Sequence, residues 1–179
     1  MKTFIASGIA AAALVSAASA DVTFSFNNQT WTGFNFTEAY AAGSLTGTLT
    51  GVSVNATLNA STNYTYADDL CVYINPSPLS LGGLLQVGGF SNLNATQRYS
   101  WANGGSSAPG TTVTGTKTLT TGIDMAANPL QSIWVGNGYG AAGTSGTWTG
   151  TITLIGVVPA PGAVALLGLA GLTGRRRRA

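Results

Sequence analysis

The chain has 179 residues, only 7% of them charged, with no histidine and one cysteine. That excludes imidazole acid–base chemistry, histidine triads and histidine metal sites, an intramolecular disulfide, and a cysteine-built zinc site. Four of the seven basic residues are Arg175 to Arg178, in the last five positions. Within residues 21–157, Asp21, Glu38, Asp68, Asp69 and Asp124 outnumber Arg98 and Lys117, so that stretch carries no electrostatic footprint for nucleic acid.

At the N-terminus, Lys2 is followed by an apolar run, Phe4 to Val15, and then by "SAASA", with Ala18 and Ala20 at the small-residue positions. This is the pattern of a secretory signal peptide, with cleavage expected before Asp21. Residues 21–157 then form one domain of ordinary size, large enough to bury a core.

Period-two patterning dominates that domain. "VTFSF" sets Val22, Phe24 and Phe26 against Thr23 and Ser25. In "VSVNATLN", Val52, Val54, Ala56 and Leu58 share one face, but the preceding Leu45 and Leu49 have the opposite parity. A turn or bulge near Thr50–Gly51 is needed to keep all of them inside. "LCVYI" sets Leu70, Val72 and Ile74 against Cys71 and Tyr73, and Cys71 reads as core filler. "VTGTKTLTTGI" runs through Val113, Gly115, Lys117 and Leu119. "TWTGTITLIG" sets Trp148, Gly150, Ile152 and Leu154 against Thr147, Thr149, Thr151 and Thr153. Such runs are half-buried antiparallel strands. The segments "NPSP", "LGGLLQVGG", "NGGSSAPG" and "GNGYGAAGTSG" read as turns between them. The fold class expected is all-β, an antiparallel β-sandwich, with no amphipathic helix inside the domain.

Chemistry is sparse. "GNGYG" is glycine-rich, but no helix follows to receive a phosphate. A glycosidase needs two carboxylates flanking its bond; Glu38 and Asp124 are candidates without local support, and the domain is read as non-enzymatic. Asp68 and Asp69 have two readings. With loop carbonyls they offer oxygen ligands for Ca²⁺; alternatively Asp68 caps a turn before a strand. With no Asp-x-Asp-x-Asp loop, the cap is preferred and no cofactor is assigned. Trp31, Tyr64, Tyr66, Trp101, Trp134, Tyr139 and Trp148 are the aromatics that a sugar-binding face would draw on. Of these, Trp101, Trp134 and Tyr139 sit beside glycine-rich turns and are the candidate carbohydrate contacts, whereas Trp148 has core parity.

The C-terminus carries no charge from Ile152 to Gly174, and Ala163 to Leu172 is helix-compatible. It is shorter than the roughly 20 residues a bilayer core requires. It spans only by extending upstream or by snorkelling of its arginines. Arg175, Arg176, Arg177 and Arg178 follow as a stop on the cytoplasmic side. This order of Pro-x-Pro, short apolar helix and terminal arginines resembles the PEP-CTERM sorting signal of bacteria. The motif here is Val158, Pro159, Ala160, Pro161 and Gly162, with Ala160 where the family usually has glutamate. The resemblance implies a sorting tail over residues 158–179, an exosortase-like processing enzyme as partner, a transient or lasting membrane anchor, and delivery to the cell surface or extracellular matrix. On that reading the N-x-[ST] sequons at Asn28, Asn35, Asn55, Asn59, Asn63 and Asn94 are products of composition. The domain itself, through Asp69, Leu70, Gly146, Thr147 and Trp148, resembles P-domain-like and galactose-binding-like jelly rolls. That resemblance implies a fold and no activity. The function expected is that of an exported structural or interaction protein, with an extracellular carbohydrate-binding module as the alternative and a hydrolase third.

Overall fold

The computed structural model describes residues 21–77 and 82–162. The expected signal peptide, the C-terminal helix from Ala163 and the arginine cluster lie outside those residues. Among the described residues, no helix is long and apolar enough to cross a membrane.

Among the described residues, nine strands make two sheets: β1 (Val22–Thr32), β2 (Phe36–Tyr40), β3 (Leu45–Thr62), β4 (Leu70–Asn75), β5 (Leu85–Val87), β6 (Gln97–Tyr99), β7 (Thr112–Asp124), β8 (Ser132–Asn137) and β9 (Ser145–Pro159). One sheet has the order β1-β9-β3-β7 and the other β2-β8-β4-β5-β6. All pairs are antiparallel except β5 with β6, which run parallel, so the second sheet is mixed rather than purely antiparallel. The chain passes repeatedly from one sheet to the other, and both contribute to one buried core.

Alternation explains the four-stranded sheet. In β9, Trp148, Ile152 and Leu154 are buried while Thr147, Thr149, Thr151 and Thr153 face outward, half-buried. The parity conflict in β3 is resolved where it was expected, by register shifts between Leu49 and Gly51 against β7 and between Gly47 and Gly51 against β9. Gly47 there has φ +93°, and a Cβ on it would meet the Gly156 carbonyl oxygen at 2.8 Å. These irregularities let Leu45, Leu49, Val52 and Val54 all point inward.

The five-stranded sheet is different. Every residue of β4 is buried. Leu70, Val72 and Ile74 enter the main core, whereas Cys71 and Tyr73 join Phe36 and Leu93 in a second apolar cluster on the other face. The half-buried reading of "LCVYI" is therefore corrected, because the segment between β5 and β6 covers that face. Burial pushes the Cys71 thiol well above its ordinary range, which keeps it protonated. Within "LGGLLQVGG" the structure forms β5, a strand where a turn was expected. Its Gln86, fully buried, donates Nε2–H to the Gly88 and Ser91 carbonyls at 3.1 and 2.7 Å and accepts the Leu93 N–H at 3.0 Å.

Where the sheets meet at β6 and β7, side chains replace a ladder. Gln97 accepts the Thr121 N–H and donates to its carbonyl, and the Tyr99 hydroxyl accepts the Thr120 N–H at 2.7 Å. These bonds satisfy the edge of β7, which would otherwise be open to a foreign strand.

Candidate functional site

A cleft lies at the end of the sandwich where β3 finishes and β4 begins. β3 leaves the sheet through a tight turn, with the Thr65 N–H donating to the Thr62 carbonyl at 3.4 Å. Its two central residues, Asn63 and Tyr64, have φ of +52° and +61°. Asparagine tolerates that region; a bulky aromatic rarely adopts it and is strained by about 1–2 kcal/mol. The strain has a visible result: the Tyr64 ring stands 77% exposed at the cleft mouth.

A single 3-10 turn, Ala67–Asp69, follows. Asp69, not Asp68, caps it: its Oδ2 accepts the Tyr66 N–H at 2.7 Å. The two aspartates therefore stand together on one turn. Neighbouring segments lock this turn. The Gly89 N–H donates to the Asp68 carbonyl at 3.0 Å, the Gly138 N–H to the Asp69 carbonyl at 2.8 Å, and the Asp68 N–H to the Gly104 carbonyl at 3.2 Å. Gly89 has no room for a side chain, since a Cβ would meet the Gly138 Cα at 2.9 Å.

The cleft so formed has a volume of about 310 Å³, and Asp68, Asp69, Phe90, Arg98 and Trp101 are among its lining residues. A smaller apolar annex continues it past Tyr64, Tyr66 and Tyr139. Phe90 is 74% exposed and meets Tyr139 edge-to-face, with ring centroids 5.4 Å apart and planes at 74°. Arg98 is exposed on β6 and donates Nη2–H to the Phe90 carbonyl at 3.0 Å, fixing the loop that carries this ring. Burial raises the Asp68 carboxyl above its ordinary value. Burial pushes the Asp69 carboxyl up to about 6; the nearby Asp68 charge adds to that, and hydrogen bonds from the Tyr66 and Phe90 backbone oppose it.

The residues singled out in the sequence divide. Asp68, Asp69, Trp101 and Tyr139 come together at the cleft; Trp134 does not. Trp134 packs against the cluster around Cys71 and Tyr73, and its indole N–H donates to the Asn75 carbonyl at 2.8 Å. Trp101 belongs to the main core and is only 6% exposed. Its indole N–H donates to the Leu70 carbonyl at 2.7 Å. Trp101 thus supports the cleft and offers no ring face for stacking, which corrects its reading as an exposed contact. For Ca²⁺, no group of three or more His, Cys, Asp or Glu side chains stands together among the described residues. Glu38 lies on the edge strand β2, and Asp124 ends β7, the edge of the other sheet on the far side of the sandwich. Phe90 and Arg98 were missed in the sequence. Their signals were an aromatic directly after Gly88–Gly89, and one of only two cations in residues 21–157.

Part of the segment read in the sequence as a sorting motif lies inside the fold. Val158 and Pro159 pair with Thr46 and Leu45 as the end of β9, and the Ala160 N–H donates to the Ser44 carbonyl at 2.8 Å. The β domain therefore extends past the boundary expected at residue 157. Compared with family models, curated proteins and solved structures, the chain matches none of them.

Proposed function

We propose that this chain is an exported, non-enzymatic cell-surface or extracellular-matrix protein whose β domain holds a saccharide in the end cleft. One observation carries the binding role. Of the four most exposed large hydrophobic side chains among the described residues, Tyr64, Tyr66 and Phe90 surround this one cleft. Aromatic faces beside carboxylate and guanidinium groups suit a ligand that is apolar across its ring faces and polar at its edges. The strained backbone at Tyr64 points the same way, since such strain gathers at functional sites. Asp68 and Asp69 are neighbours on one turn, so they occupy one wall rather than flanking a scissile bond, which favours binding over hydrolysis.

The export reading rests on the signal-peptide pattern and on the PEP-CTERM-like tail, with an exosortase-like enzyme as processing partner. The interleaved strand order, β1-β9-β3-β7 in one sheet and β2-β8-β4-β5-β6 in the other, with β6 added in parallel beside β5, supports a jelly-roll-like reading. It gives the site a consistent orientation. β3 pairs with Pro159 at its first residue and leads into the cleft after its last. The cleft therefore lies at the opposite end from Pro159, on the order of 50 Å away for a strand of 18 residues. A surface-held domain would present it outward.

Affinity electrophoresis of the purified protein through gels containing extracellular polysaccharides tests the binding role. Retardation by at least one glycan, lost in Phe90→Ala, is expected; equal mobility of parent and variant in every gel would overturn it. Intact mass from membrane and extracellular fractions tests the sorting. Loss of residues 1–20 and of the segment beyond Gly162 is expected. A protein found only in membranes with Arg175 to Arg178 retained would refute processing.

A further inference from the structure

Granted a saccharide in this cleft, we infer that its occupant is the terminal residue of an uncharged glycan, held through two adjacent ring hydroxyls by Asp68 and Arg98. The two side chains line the same cleft. Apart from a bond to its own backbone amide, the Asp68 carboxylate has no protein partner among the described residues. Arg98 commits one N–H to the Phe90 carbonyl, which leaves the rest of its fork for a ligand. A carboxylate only accepts hydrogen bonds and a guanidinium only donates them. A vicinal diol does both, so it answers the pair without leaving either unsatisfied. Asp69 does not compete for the ligand, because its carboxylate caps the turn at Tyr66.

Charge and shape narrow the class. Two aspartates and one arginine leave an ionised cleft net negative, so a uronate or sulfated sugar enters against repulsion. The volume of about 310 Å³ stands at the lower limit of small-ligand sites, which suits one or two sugar rings. Phe90 and Tyr139 meet at 74° and so form a corner. A corner encloses one ring. Successive rings of a long chain need coplanar platforms, and this pair does not provide one.

The test is calorimetric titration of the purified full chain, in detergent where its tail requires it. The probes are methyl glucoside, galactoside and mannoside, the matching methyl uronides, and oligomers of one to six residues of any hexose that binds. At least one neutral hexoside is expected to bind. Its uronide should bind more weakly, and affinity should level off by the second residue. Asp68→Asn and Arg98→Gln should each weaken binding about tenfold, Asp68→Asn with an unchanged melting temperature. Affinity that climbs through the hexamer, a preference for uronides, or parent-like binding by both variants would overturn the terminal-residue assignment while leaving the saccharide site standing. Failure of every mono-, oligo- and polysaccharide to bind the folded protein would overturn both.

Discussion

The outward face of the four-stranded sheet and that of the five-stranded sheet are made from opposite materials. On the first, Thr23 bonds Thr153, Thr30 bonds Thr147, and Ser53 bonds Thr116, all through hydroxyls. This face satisfies its own polar groups at the surface and needs no cover. On the second, Phe36, Cys71, Tyr73 and Leu93 form an apolar cluster beneath the connection between β5 and β6. That same connection carries Phe90 to the cleft. The sheet that needed a cover is thus the one beside the cleft, because the covering loop supplies a lining side chain while a rigid sheet positions it.

The sharpest test of this contrast pairs one residue from each outward face. Tyr73 is fully buried, and its hydroxyl accepts the Gly83 N–H at 2.9 Å. Tyr73→Ala should cost about 3–5 kcal/mol, as for other large core aromatics. Thr23→Ala removes an exposed hydroxyl pair and should cost no more than about 0.5 kcal/mol. Chemical denaturation measures both. Similar losses at the two positions would mean that the second face is not a core.

A smaller effect isolates the covering loop. Gln86→Leu keeps the bulk of the side chain but leaves the Leu93 N–H and the Gly88 and Ser91 carbonyls without their partner. A loss of about 1–3 kcal/mol is expected. Saccharide binding should weaken too, although Gln86 does not line the cleft. Binding at parental strength in the destabilised variant would separate the loop's order from the site's.

This contrast also governs what the sequence disclosed. β1, β3, β7 and β9 were legible because water on one face imposes alternation, and the parity break between Leu49 and Val52 located a bulge. β4 alternates only in appearance, since both of its faces are buried. β5 and β6, of three residues each, are too short to show a period at all. The cleft was half legible. Asp68, Asp69 and Tyr139 were visible as chemistry, but Phe90 on the β5–β6 loop and Arg98 on β6 reach it only by the path of that loop, a long-range packing outcome. Trp101 misled because a neighbouring "NGG" suggests exposure, whereas its indole N–H had a buried carbonyl to satisfy.

Asp69 offers a titration of the cleft end. Its folded carboxyl titrates near 6, against an ordinary 3.8. The folded state thus binds the proton more tightly than the unfolded chain. The stabilisation is complete below about pH 4 and is lost as pH rises through 6. Asp69→Asn retains an oxygen for the Tyr66 N–H but cannot titrate. Relative to the parent, the variant should gain about 1 kcal/mol between pH 4 and 7 once solvent screening is allowed for. Parallel stability–pH curves for the two proteins would contradict the shift.

The smallest effect sets stability against binding at a single residue. Tyr64 occupies a left-handed backbone position that glycine adopts freely, and its ring makes the cleft mouth rather than the core. Tyr64→Gly relieves the strain but adds freedom to the unfolded chain, so the net gain should be modest, about 0.5 kcal/mol. If the strain is kept for the ligand, the same variant should bind saccharide more weakly than the parent while melting at an equal or higher temperature. Tyr64→Asn, which tolerates the same φ with a polar side chain, should behave likewise. A loss of stability in both variants would show that the ring packs as part of the fold, and would remove Tyr64 from the site.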